Sequence, residues 1–224
     1  MQEALSQGWE LDSVYHTGPE KPGTGAAEYR VPEKLMRSVT AVETPPGILA
    51  VAKKRLVPIE RLDPGGLALL LDGIQDPGNV GTLLRSAAAF GAGAVLATPG
   101  TAHFFNPKVV RAAAGSTFKL RLCEGVTAQN LGSLLKRSGS RLIIADSRAG
   151  VAPGALDRFN CILALGHETS GVSAALRELA AQVVRIPMAE ATESLNVAVA
   201  GSIILYEISK REASNADFGM RNAE

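Results

Sequence analysis

From residue 67 onward the chain consists of short, unbroken apolar runs separated by stretches of helical spacing, and this alternation restricts the possible folds more than any other feature. The runs cover residues 67–71, 94–97, 142–145, 161–165 and 183–186, with candidate helices near 79–90, 107–115, 127–138, 173–181 and 195–209. A strand that is apolar at every position is buried on both faces, and helices between such strands imply parallel crossovers. The expectation is an α/β domain: a mostly parallel sheet with helices on both faces.

The first sixty residues differ in texture. Gly and Pro are scattered through GPEKPGTG, a short helix is predicted over 32–38, a turn over 44–47 and a strand over 48–52. Residues 57–66, with Pro58, Asp63, Pro64 and two glycines, read as a linker. The expected division is a small N-terminal α+β region with its linker over 1–60, a larger domain over 61–212 and a polar tail over 213–224 that frays.

The 224 residues are 46% hydrophobic and 20% charged, enough for a sizeable core. No apolar run approaches the roughly 18 to 20 residues of a membrane span. The opening MQEALSQGWELD lacks the regions of a signal peptide, so a soluble, cytoplasmic protein is expected. Cys123 and Cys161 lie apart in strand-like runs and read as reduced core residues; His16, His103 and His167 show no metal-ligand spacing, so no metal is expected. A net charge of +1 removes the broad electrostatic argument for a nucleic-acid partner. Any RNA site must be a local patch. Lys53, Lys54 and Arg55 are the leading candidates, followed by Lys108 with Arg111, Lys119 and Arg121, although clusters this short are ordinarily solvated surface.

In open parallel sheets ligands bind at the carboxyl ends of the strands, so chemistry belongs in the loops that leave them. Three such loops stand out. The first, 72–81, leads into a helix whose Val80, Leu83, Leu84, Ala87 and Ala88 form a buried stripe. Arg85 lies off that stripe, facing either a ligand or water, and Asn79 reads equally well as the helix N-cap. The second loop, 165–173, has glycines that permit close approach to a ligand; the plain alternative is a surface connection with Ser173 as N-cap. The third runs from Ile186-Pro187-Met188 to Ser194-Leu195-Asn196-Val197, where Ser194 could merely cap a strongly apolar helix.

Taken in order, DPGNVGTLLRSAAAFG, LALGHETSGVS and IPMAEATESLNVAVAGSIILYE resemble the three motifs of the SpoU (TrmH) RNA methyltransferases, of the SPOUT superfamily, over residues 67–209. The resemblance implies transfer of a methyl group from S-adenosyl-L-methionine to a ribose 2′-hydroxyl. It implies a cofactor pocket lined by Gly166, Ile186 and Leu195, with Leu165 and Met188 beside them. Arg85, Asn79, Glu168, Ser194 and Asn196 would form the catalytic site. It also implies a C-terminal trefoil knot, against the rule that chains avoid knots, and a homodimer whose interface completes the site. EKLMRSVTAVETPPGILAVAKK resembles the later half of the ribosomal-protein-like substrate-binding domain of many members, so that region is expected to be partial, lacking its opening strand and helix. Ribosomal RNA is the expected substrate, with transfer RNA and a non-catalytic RNA-binding role as the alternatives. A nicotinamide-dependent dehydrogenase would need G-x-G-x-x-G after the first strand, where this chain reads DGIQDPGNVG.

Overall fold

The chain divides into two compact units between Arg55 and Leu56. The computed structural model describes residues 1–40, 44–156, 160–189 and 194–221, with the side chains of the last helix as far as Lys210.

In the first unit, α1 (Gln2–Ser6) and β1 (Leu11–His16) are followed by β2 (Ala27–Arg30), α2 (Glu33–Val39) and β3 (Ile48–Ala52). β1 is the middle strand, parallel to β2 and antiparallel to β3. Its Val14 and His16 are buried, as are Ala4, Trp9 and Met36, while Tyr15 stacks on Tyr29 at 5.4 Å. α1 and β1 occupy the first sixteen residues, where the sequence reading placed no element. Asp12 and Ser13 interrupt the apolar pattern of β1, which hides it in the sequence. Arg55 donates to the carbonyl of Gly8 at 2.6 Å and lies over the Trp9 ring at 5.3 Å.

The second unit begins with a 3-10 turn at Ile59–Arg61 and continues through β4 (Leu67–Asp72), α3 (Pro77–Ala89), β5 (Ala94–Ala97), α4 (Pro107–Ala112), β6 (Arg121–Glu124), α5 (Ala128–Ser138), β7 (Arg141–Ala145), β8 (Cys161–Gly166), α6 (Ala174–Arg177), β9 (Gln182–Val184) and α7 (Val197–Arg221). Six strands form one sheet in the order β6-β5-β4-β8-β7-β9, and every pair is parallel. All six residues of β4 and of β8 are buried, as the apolar runs 67–71 and 161–165 demand, with Asp72 closing β4 as a buried carboxylate.

Alternation along β4 divides its side chains between two cores. Leu67, Leu69 and Leu71 pack with Leu83 and Leu84 of α3 and Ile204, Leu205 and Ile208 of α7. Ala68 and Leu70 pack with Leu131 and Leu134 of α5 and Leu176 of α6. The second unit is thus layered helix, sheet, helix. Each leucine fully withdrawn from water contributes roughly 2 kcal/mol, so the two central strands anchor the domain. Both cysteines are buried, and burial, aided by Glu60 and Glu124, pushes the Cys123 thiol up to about 11. β6 is absent from the sequence expectation: at the sheet's edge it buries only Leu122 and Cys123 between Arg121 and Glu124, too little to read as an apolar run.

Candidate functional site

β4 and β8 lie side by side in the sheet, with Asp72 opposite Gly166 at their carboxyl ends. The chain runs from β4 outward to β5 and β6, then places β7 and β8 on the other side, so the strand order reverses beside β4. Such a switch point opens a crevice above the strand ends.

α3 starts in that crevice. Its N-cap is Asp76, which accepts a hydrogen bond from the backbone N–H of Asn79 at 2.8 Å. This corrects the alternative in which Asn79 is the cap: with the backbone served by Asp76, the Asn79 amide is released for other partners. Its Nδ2 donates to Glu168 Oε1 at 2.7 Å, and its Oδ1 accepts from Asn196 Nδ2 at 3.1 Å. Asn196 also caps α7, its Oδ1 accepting from the backbone N–H groups of Ala198 and Val199 at 2.9 and 3.3 Å. The cap of α7 is therefore Asn196 rather than Ser194. Three loops 89 and 117 residues apart are joined by two side-chain hydrogen bonds.

Next to this chain lies a cavity of about 390 Å³, within the range of sites that hold a small molecule. Leu165, Gly166, Ile186, Met188, Ser194 and Leu195 all line it, as does Glu168. Gly166 is a glycine for a reason other than ligand approach: a Cβ there would overlap the backbone of Gly171 and Val172, because the loop folds back on itself. That fold is closed by the Gly171 N–H donating to the His167 carbonyl at 2.8 Å, with Gly171 at φ 69°. Residues 190–193 of the third motif lie outside the described residues.

Arg85 does not line the cavity. It stands exposed on α3 and makes no hydrogen bond or ion pair among the described residues. On the same helix Ser86 bonds Ser202 of α7 at 2.7 Å, and Phe90, just past its end, meets Tyr206 at 5.6 Å. Beside them Val199, Ile203 and Tyr206 recur along α7 at helical spacing and are 49, 37 and 48% exposed.

One end of the cavity is polar in a way the sequence did not signal. Asp146, directly after β7, accepts from Arg177 Nη2 at 2.7 Å and from the backbone N–H of Arg148 at 2.8 Å, and all three residues line the cavity. Burial raises the Asp146 carboxyl, but those donors outweigh it and hold it below the ordinary carboxylate range. The available clue was position: Asp72 and Asp146 each stand at the carboxyl end of a buried apolar strand.

Lys53 pairs with Glu10 at 3.1 Å on the surface of the first unit, Arg55 is held as described above, and Lys54 is exposed with no partner among the described residues. Lys108 and Arg111 are exposed on or beside α4. Among the described residues no group of three or more His, Cys, Asp or Glu could hold a metal ion, and no helix is long and apolar enough to cross a membrane.

Residues 66–206 match the model of the SpoU rRNA Methylase family. The chain is 37% identical, over 85% of its length and 75% of the relative's, to a 23S rRNA (guanosine(2553)-2′-O)-methyltransferase of Bacillus subtilis. It is 28% identical to a 23S rRNA (uridine(2479)-2′-O)-methyltransferase of Streptomyces viridochromogenes, over 94% of this chain and 80% of that one. An AdoMet-bound rRNA methyltransferase from Sinorhizobium meliloti superposes with a TM-score of 0.85 at 26% identity, covering 94% of this chain and 84% of that one.

Proposed function

The chain belongs to the SpoU rRNA methylase family, and from that premise we propose that it transfers a methyl group from S-adenosyl-L-methionine to a ribose 2′-hydroxyl of ribosomal RNA in the cytoplasm. The observation that carries this is the Asn196–Asn79–Glu168 chain of hydrogen bonds, whose Glu168 lines the cavity and which joins one residue from each of the three motifs. The cavity suits the cofactor in kind: apolar walls at Leu165, Ile186 and Leu195 for an adenine ring, and charged side chains for the polar remainder.

When bound, the cofactor would supply an electrophilic methyl group, its carbon–sulfur bond breaking with the electron pair left on sulfur as a neutral thioether; the protein supplies position and electrostatics. In this reading Asn79 and Asn196 orient the ribose, and Ser194 offers a further hydroxyl at the cavity wall. The 2′-hydroxyl gives up its proton as its oxygen bonds to the methyl carbon, and either the Glu168 carboxylate or an RNA phosphate oxygen accepts it. Arg85, always protonated, cannot be that base. Its part is to grip the adjacent phosphate and stabilise negative charge building on the 2′-oxygen.

The position of Arg85 outside its own chain's cavity supports a homodimer in which each Arg85 serves the partner's cavity. The exposed apolar stripe Val199, Ile203 and Tyr206 beside it is the surface such a dimer would bury. The knotted course of the C-terminal segment belongs to the same reading, supported by the path of the chain from β9 at the sheet's edge back to α3 and β8. Of Lys53, Lys54 and Arg55, Lys54 is the one left to meet RNA, since Lys53 and Arg55 already have partners.

The test is to incubate the purified protein with radiolabelled S-adenosylmethionine and ribosomal RNA. Label should enter the RNA, and one phosphodiester should become resistant to alkaline cleavage. Label on a base overturns the ribose assignment, and cofactor and RNA binding without transfer would favour the non-catalytic role.

A further inference from the structure

The loop after β8 carries His167 and Glu168 toward α6, a helix of four residues. A single turn does not hold itself together, so its position must come from tertiary bonds. Two carboxylates provide them. Asp72, 9% exposed at the end of β4, accepts from the Ser173 N–H at 2.7 Å through one oxygen and from the Thr98 hydroxyl at 2.8 Å through the other. Asp146, whose side chain is 8% exposed, accepts from Arg177 at the far end of α6 at 2.7 Å. Arg177 also turns its Nε–H back onto the Val172 carbonyl at 3.0 Å. Since β4 and β7 flank β8, the loop is fastened to the strand on either side of it. Of the two fastenings, only the Asp146–Arg177 pair also forms part of the cavity wall.

We propose that Asp146 and Arg177 are positioning residues that hold the loop after β8 in the shape that binds the cofactor, so that cofactor affinity rather than the chemical step depends on them. This rests on reading the cavity as the cofactor site. The guanidinium spans two acceptors, the Asp146 carboxylate and the Val172 carbonyl, from two edges of one rigid fork. A lysine ammonium on a flexible stem does not reproduce that geometry. Arg177 is one-third exposed but Asp146 is buried, so loss of the pair also costs global stability, which thermal unfolding reads apart from cofactor affinity. What the pair supplies is preorganisation: without it, binding must also order the loop, and affinity falls by that amount.

The experiment measures S-adenosylmethionine binding by calorimetry, thermal unfolding and steady-state methylation of ribosomal RNA in the full chain. Arg177→Ala and Asp146→Asn should each weaken cofactor binding about tenfold or more, with kcat at saturating cofactor within about threefold of wild type and KM for RNA unchanged. Arg177→Lys should not restore affinity, and the double variant should be no weaker than the worse single one, as expected of residues acting as one unit. Cofactor affinity within about twofold of wild type in both single variants overturns the proposal, whether or not unfolding shifts, and so does a loss confined to kcat. A wild-type protein that binds no S-adenosylmethionine is a separate result, which sinks the proposed function itself and this proposal with it.

Discussion

Asn79 illustrates how a residue's role can change once the fold is known. In the sequence it is a suitable helix cap; in the structure Asp76 caps the helix, and both ends of the Asn79 amide reach across to Glu168 and Asn196. Arg85 is the opposite case, a side chain with no partner in its own chain among the described residues. Arg85→Ala should leave cofactor affinity within a fewfold of wild type and lower single-turnover methylation by about a hundredfold or more, the scale of losing one charge-stabilising group. Unchanged turnover removes Arg85 from the mechanism. Every cofactor-pocket residue named from the sequence, Leu165, Gly166, Ile186, Met188 and Leu195, lines the cavity. Asp72, Asp146 and Arg177 were illegible because their importance lies in whom they touch across strands, which neither spacing nor periodicity encodes.

At the level of elements, legibility followed unbroken apolar sequence: β3, apolar throughout, was placed over 48–52 although it is only half-buried. β4, β5, β7 and β8, apolar at nearly every position, were placed to within a residue. β1, β2 and β6 were not, because strands that bury only some of their side chains carry a mixed sequence. Helix α7 was expected to stop near residue 209 but continues to Arg221, since a polar sequence does not end a helix in the absence of a breaker. At the other end of the site, the start of α3 couples stability to geometry through one carboxylate. Asp76→Ala should cost about 1 kcal/mol, read by chemical denaturation. It should also lower turnover more than cofactor affinity, because the Asn79 backbone loses the bond that fixes it. A stability loss with unaltered kinetics would show that Asn79 holds its place without the cap.

For the whole molecule, the proposed homodimer makes the strongest demand. Ile203→Asp places a charge in the middle of the exposed stripe on α7 and should convert a dimer to monomer in sedimentation analysis, abolishing methylation while leaving the cavity able to bind cofactor. A monomeric wild type that methylates RNA would end the idea that Arg85 works on a partner's cavity. The sequence by itself determined the α/β class, the positions of the central strands and the three loops where chemistry belongs, because continuous apolar runs admit few arrangements other than a doubly covered parallel sheet. Only the tertiary structure decided that β8 is inserted between β4 and β7, that Asn79, Glu168 and Asn196 meet, and that two strand-end carboxylates fasten the loop between them. Strand order is a long-range choice, and a linear pattern of hydrophobicity records how deeply each strand is buried but not which neighbour it lies against.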